Sequence, residues 1–391
     1  MTDTADVIII GAGVHGTSLA FHLTERGTSV IVVERAWIGA GATGRSSGLV
    51  RMHYDLLAET KLAWASFPWF TDWAARVGGD CGFTNTGFLW IERADGEARL
   101  RANVESHRGL GIDTTVVGSN DIARLAPALA LDGDEFAAYE PASGYADPTS
   151  TATGFMRAAR ERGARLVQGA EVTGISVTPD GGRVTGVVTT KGEFSAPIVV
   201  NVAGGWAARV GAMAGVDIPL TVWRHDTGYL GVPASVARPI PVVIDNARDM
   251  YLRPEGSELV LIGLEDGSIL GGSPDRDTAN AEPGFRDVVT DRVVQRLPGL
   301  ADGTFRAAHS GQDGLTPDQR SILGAAGPEG FYLDCGHSGT GFKTAPAIGL
   351  GMAELILDGV ATSVDIAPFE PGRFAAGRPL VGEHGGTPIW R

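Results

Sequence analysis

Two glycine-rich stretches hold the residues best placed to do chemistry. In the first, Gly11, Gly13 and Gly16 form G-x-G-x-x-G, and Glu34 follows 18 residues after Gly16. Such glycines turn the chain, admit a pyrophosphate to the backbone and let a helix pack on a strand. The opening helix presents free N–H groups and a positive dipole to the anion. Glu34 would bind adenosine ribose hydroxyls and repel a 2′-phosphate. The motif fits a dinucleotide but does not separate FAD from NAD. In the second stretch, "GHSGTGFK", Phe342 displaces Lys343 by one place from the phosphate-loop pattern G-x-x-x-x-G-K-S/T. Three readings stand open: a damaged triphosphate site, a lysine that holds a different ligand, or a surface charge beside a turn.

The elements that must position these residues follow from periodicity. "DVIII", "GAGVHG", "TSLAFHLTERG" and "TSVIVVER" read as strand, turn, helix and strand, a βαβ unit. Asp147 caps a helix running to a glycine stop, followed by the strand-like "ARLVQGAEVTGISV" and "GRVTGVVTT". "PIVVNVAGG" leads into a helix, and "DMYLRPEGSELVLIG" alternates as an antiparallel hairpin turning around Pro254 to Gly256. "GFYLDCG" is a buried strand and "TAPAIGLGMAELILDG" a helix. The expected architecture is a Rossmann-like α/β nucleotide-binding domain at 1–81, 145–220 and 309–391, α+β overall. A mainly antiparallel β-sheet domain, at 82–144 and 221–308, interrupts it. The acidic, Gly/Pro-rich run from Gly267 to Pro283 reads as a surface loop.

Composition narrows the function classes. The 391 residues are 43% hydrophobic and 20% charged, as in a folded globular protein. A net charge of -14 disfavours nucleic acid or an anionic membrane as partner. Cys81 and Cys335 form neither a disulfide framework nor a metal-ligand spacing, so no metal site is expected and a reducing, cytoplasmic compartment is. No segment has the roughly 20 apolar residues of a membrane span. His15 reads as a helix-start residue, and no Ser/His/Asp arrangement stands out.

With "RAWIGAGATGRSSGLVRMHY" after Glu34, "VVNVAGGWA" and "GHSGTGFK", the chain resembles the D-amino acid oxidase superfamily of FAD-dependent amine oxidoreductases. The sarcosine oxidase and glycine oxidase branch is nearest. The resemblance covers nearly the whole chain and is most specific at 6–54, 198–207 and 334–351. It implies hydride transfer from the carbon beside a neutral amine to flavin N5, giving an imine that water hydrolyses, with molecular oxygen as acceptor. It also implies that Arg51 and Lys343 bind the carboxylate of a small amine substrate and serve as the catalytic pair. The residues agree: buried cations are costly unless paired, so two in apolar, glycine-rich segments call for an anionic guest or protein carboxylates. The plain alternatives are an Arg51 bridge to Asp55 or Glu59 and a solvated Lys343. By the same resemblance the FAD contacts are Gly11, Gly13, Gly16, Glu34, Arg35, Thr43, Arg45, Ser46, Ser47, Gly48 and Val172. They continue with Ala203, Gly204, Trp206, Gly339, Gly341, Phe342 and Lys343, the last helix start facing the flavin ring rather than a triphosphate.

The pattern breaks at three places. Gly311 stands near the cysteine that attaches the flavin in sarcosine oxidase, and Arg45 aligns with the attaching histidine of dimethylglycine dehydrogenase, so non-covalent FAD is expected. Leu261 replaces the oxygen-activating lysine, which leaves oxidase and dehydrogenase both open, along with a flavin subunit of a larger complex and a non-catalytic flavin scaffold. Glu265 falls where sarcosine oxidase has an active-site histidine. Tyr251 and Arg253, on one face of the hairpin, and His53 beside Arg51 complete the expected substrate pocket, with Tyr54 and His225 as further candidates.

Overall fold

The computed structural model describes residues 3–265 and 267–384. The runs Val7–Ile10 and Val30–Glu34 are buried along their whole length, as strands covered on both faces must be. They form the middle of a six-stranded sheet, in the order Arg165–Gln168, Val30–Glu34, Val7–Ile10, Ile198–Asn201, Phe331–Cys335 and Ile322–Ala325. Five strands are parallel and the last is antiparallel. Val7, Ile9, Val30 and Val32 pack with the residues of three helices, Val14–Glu25, Pro148–Glu161 and Gly341–Asp358. Ile8, Ile10, Ile31 and Val33 face the other way, onto Val184, Val187 and Phe194 of a four-stranded sheet. The period of two thus divides one strand between two cores.

The first and last helices are joined closely. Ser18 Oγ donates to Ala345 O at 2.9 Å, and His22 Nε2 lies 3.1 Å from Pro346 O one turn further on. Gly349 sits at the crossing, where a Cβ would overlap Ser18. The helix Pro148–Glu161 has the expected cap: Asp147 Oδ1 accepts from Ser150 N at 2.5 Å. Asp147→Ala is expected to lower stability by about 1 kcal/mol, read as a shift in the urea midpoint with an unchanged slope.

The second sheet has nine strands drawn from residues 88–140 and 221–315. Its spine is an antiparallel pair of long strands, Thr221–Gly231 and Phe305–Leu315. The boundary expected at 308/309 falls inside the second of them. The hairpin pairs Met250–Glu255 with Leu259–Leu264, and Pro254 lies within the ladder opposite Val260. The turn therefore comes later than the sequence implied, at 256–258, where Gly256 takes φ 59°, a left-handed conformation that glycine adopts without strain.

Candidate active site

At the carboxyl ends of the parallel strands the chain must turn sharply from Ile10 into the first helix. Gly11 makes this turn with φ 112°, its N–H donating to Val33 O at 2.8 Å. A Cβ there would run into the Val202 carbonyl, so the position requires glycine. Thr43 Oγ1 accepts from Val14 N at 3.0 Å, which satisfies one of the free donors of the helix start. Glu34 is buried, and its two oxygens accept from Ala12 N and Ala36 N, each at 2.8 Å. The acidic residue therefore braces the glycine turn as well as facing the space beyond it.

That space is a cavity of about 550 Å³, running from the Glu34 end past the start of the last helix to Arg51 and Lys343. Arg51 is 2% exposed and Lys343 6%. The Arg51 guanidinium lies 4.2 Å from the Tyr54 ring centroid and Lys343 Nζ 5.5 Å from the same ring. Arg51 Nη1 donates to His53 O, which fixes the guanidinium against the wall. Burial, followed by the neighbouring Arg51 charge, holds the Lys343 ammonium well below its ordinary value. Behind the pair, Arg320 is fully buried and bridges Asp55 at 2.8 Å and Glu59 at 2.5 Å, while Glu59 also accepts from Thr340 Oγ1 at 3.1 Å. Asp55 and Glu59 are thus both engaged by Arg320.

A third wall comes from a segment read as a surface loop. Ile269–Leu270 pairs with Trp223 and Arg224 of the long strand, and the chain then folds back so that Pro274 to Thr278 line the cavity. Buried Arg224 holds this strap through Asp277 O, Asn280 O and the Glu282 carboxylate. At the other end Asp275 accepts from Arg35, Trp206 and Arg209 at 2.7–2.9 Å. The Arg209 and Arg35 guanidinium groups and the Trp206 N–H keep the Asp275 carboxyl well below the usual range. The strap is thus anchored at both ends.

On the inner wall His15 and His337 stack at 3.5 Å with planes 11° apart, both beside Asp334. The three offer ligand atoms within 4.8 Å of one another. Metal ions bind histidine along the in-plane nitrogen lone pair, and two stacked rings share no such point. The cluster in this arrangement is a polar contact rather than a ready metal centre.

Of the residues expected in the site, the cavity lining includes all but six; one of these, Tyr54, lies against the Arg51 guanidinium. Gly16 lies one turn inside the helix, where a Cβ would overlap the Gly11 carbonyl. Gly48 (φ 68°) serves the bend towards Ala146. Arg253 reaches the outside of the wall, donating to Ser47 O at 2.5 Å and pairing with Glu255. His53 packs behind Arg51 between Trp90 and His107. Glu265 stands at the end of its strand, its N–H bonded to Asp249 O. Tyr251 lines the cavity on the same hairpin face as Arg253, and His225 lines it stacked on Trp223, its pKa lowered to about 4 by burial. Leu261 is buried in an apolar cluster with Trp90 and Tyr251.

A family model described as "FAD dependent oxidoreductase" matches residues 6–355. The chain belongs to this family. Its relatives include enzymes named for sarcosine, proline and glycine. Human mitochondrial sarcosine dehydrogenase is 30% identical over 92% of the chain, and the chain spans 40% of that protein's length. The crystal structure of L-proline dehydrogenase from P. horikoshii matches 97% of the chain and 100% of its own, with a TM-score of 0.89 and 27% identity. Glycine oxidase from Geobacillus kaustophilus matches 95% of the chain and 99% of its own, with a TM-score of 0.83 and 26% identity. Among the described residues no helix is long and apolar enough to cross a membrane.

Within the family fold, the two positions singled out for covalent attachment, Gly311 and Arg45, are neighbours: a Cβ on Gly311 would lie 3.4 Å from Arg45 Cβ. Sequence reasoning missed the strap and the His15–Asp334–His337 cluster. An aspartate within the otherwise apolar strand "FYLDC", followed three residues later by histidine, was the available signal for the cluster.

Proposed function

We propose that the protein oxidises an amino acid or N-substituted amino acid, such as an N-substituted glycine, at the carbon beside the nitrogen. The observation that carries this reading is that one cavity is lined both by the glycine turn with Glu34 and by Arg51 with Lys343. The residues fit non-covalent FAD: the turn at Gly11 leaves room for a pyrophosphate, Glu34 faces the ribose end, and Gly339 and Gly341 let the last helix start approach a flat ring. Bound there, FAD supplies the two-electron acceptor for a hydride, and molecular oxygen then leaves as hydrogen peroxide. Arg51 presents a fork to the substrate carboxylate and Lys343 a point charge, which together orient the carbon–hydrogen bond. The six-stranded sheet unit would hold the dinucleotide, and the nine-stranded sheet would close the substrate end through Tyr251. Both cysteines are buried and unpaired, in keeping with a reducing, cytoplasmic setting.

A second reading, a dehydrogenase or the flavin-bearing part of a larger protein, is favoured by Leu261 in the position of the oxygen-activating lysine and by the 40% span of human sarcosine dehydrogenase. An anaerobic flavin-bleaching screen over N-alkyl glycines and primary amino acids tests the substrate class. Carboxylated amines should bleach the flavin; bleaching by amines that lack a carboxylate, at equal rates, would remove the proposal. Peroxide yield against dye reduction then separates oxidase from dehydrogenase.

The strap gives a further expected result. Asp275→Ala removes the anchor shared by Arg35, Trp206 and Arg209, and should raise the FAD release rate roughly tenfold. Stopped-flow recovery of flavin fluorescence on dilution measures it.

A further inference from the structure

Asp334 is a fully buried carboxylate on the cavity wall, and neither of its oxygens has an aligned hydrogen bond. Such a group is expensive to keep ionised without donors. Its nearest polar neighbours are His15 Nδ1 at 3.3 Å and His337 Nε2 at 3.2 Å, on rings stacked against each other. The two rings differ in what holds their other nitrogen. His337 Nδ1 lies 3.0 Å from Ser321 Oγ, a hydroxyl able to donate to it and so leave the proton on Nε2, facing Asp334. His15 Nε2 lies 2.9 Å from Gly341 O, and a carbonyl only accepts. A neutral His15 must therefore carry its proton on Nε2 and turn the bare Nδ1 to the carboxylate. The cluster is one proton short, and the vacant position is defined.

The place of the cluster gives that vacancy a role. Gly341 is the first residue of the last helix, whose start walls the cavity. We propose that His15 takes up one proton at Nδ1 when the flavin in this cavity is reduced, with Asp334 as the fixed counter-charge. The inference rests on the reading of the cavity as the FAD site.

The balance is simple. A hydride brings two electrons and one proton from the substrate carbon, so the flavin gains one negative charge. A desolvated cavity already holding ionised Asp334 opposes a second negative charge, and a solvent proton on His15 cancels one of them. When molecular oxygen leaves as hydrogen peroxide it takes two electrons and two protons: the one that came with the hydride and the one held by His15.

The charged groups around the cluster do not preempt this. From the neighbouring elements, Asp313 accepts from Gly339 N, Glu34 is turned to Ala12 N and Ala36 N, and Lys343 lies with Arg51 at the Tyr54 ring. Burial and His337 hold His15 below its ordinary value, against the pull of Asp334, so the oxidised protein leaves it neutral at neutral pH. The Asp334 carboxyl, which burial alone would raise, is held low by His15 once that ring is protonated, together with His337.

Spectroelectrochemical titration of the flavin in the holoprotein, between about pH 6 and 9 where histidine titrates, tests the inference without any amine. Hydride-equivalent reduction alone shifts the equilibrium tenfold per pH unit, about 30 mV for a two-electron couple. Uptake by His15 adds up to a further tenfold per unit, so the wild-type slope should approach twice that figure. His15→Asn, which keeps a donor for Gly341 O, and Asp334→Asn should both fall to the single slope with flavin still bound. His22→Asn, a buried histidine on the same helix that faces Pro346 O, should keep the steep one. A single slope in the wild type, or a steep slope surviving in His15→Asn, overturns the inference. A protein that binds no flavin would instead sink the FAD reading, and a substrate screen that fails while the slopes behave as stated would sink only the amine assignment.

Discussion

Replacing Arg51 by alanine is expected to lower kcat/KM for carboxylated amines by roughly 100- to 1,000-fold, about 3–4 kcal/mol, the usual cost of truncating one side of a buried charge contact. Amines without a carboxylate should lose far less. Arg51→Lys should recover only part, because a point charge cannot reproduce the planar fork. Lys343→Met adds a pH signature. Burial and the adjacent Arg51 hold the Lys343 ammonium well below its ordinary value in the empty site, and a bound carboxylate would raise it again. Wherever Lys343 is neutral in the free protein, binding must take up a proton. Affinity for a simple carboxylate inhibitor should therefore be flat at low pH and weaken by up to tenfold per unit as pH rises through the free Lys343 value. In Lys343→Met the inhibitor should bind weakly with no such slope. Calorimetry in buffers of different ionisation enthalpy counts the proton directly, and an unchanged pH profile in Lys343→Met would remove Lys343 from the carboxylate site.

Arg320→Met is expected to cost about 3–5 kcal/mol of stability, because it leaves two carboxylates buried without their shared cation. Arg320, Asp55 and Glu59 are all buried, and Glu59 also ties down Thr340 at the threshold of the last helix. Burial already pushes the Glu59 carboxyl up, with Arg320 opposing it, so removing Arg320 pushes it further. A carboxyl raised in the folded state binds protons more readily than the unfolded chain. Its penalty is absent below the unfolded value and grows as pH rises towards the folded one. The stability deficit of Arg320→Met in urea should thus widen from acid to neutral pH. A deficit constant across that range would show that lost packing, not charge, is responsible. The released Glu59 would also compete for Lys343, so carboxylate affinity should fall with stability.

Much of the cofactor side was legible because its requirements are local. The glycine spacing, the apolar strand before it and the acidic residue after the next strand sit within 34 residues, and each is set by backbone geometry. The nine-stranded sheet was legible only as hairpin signals, since strand order joins 88–92 to 242–245 across most of the second unit, a pairing without short-range trace. The strap from 271 to 284 read as a solvent loop because its composition is polar, yet its acidic residues answer Arg35, Arg209 and Arg224, placed elsewhere in the chain. Arg253 and His53 illustrate the converse. Alternation along a strand puts Arg253 on the side of Tyr251, and sequence proximity puts His53 beside Arg51, but neither tells which neighbours, here Ser47 and Trp90, take up the side chain.

The cavity wall begins at Ile10 and is completed at Lys343. On the ribosome, then, the glycine turn must wait for the more than 300 residues that lie between Gly11 and Lys343 before the far wall exists. Dinucleotide capture cannot assist the early stages of synthesis, and the nascent polypeptide has to hold its first parallel strands in place by their apolar faces alone. A shortage of flavin would therefore be felt after translation, as a pool of completed chains waiting for cofactor, rather than as stalled or truncated ones.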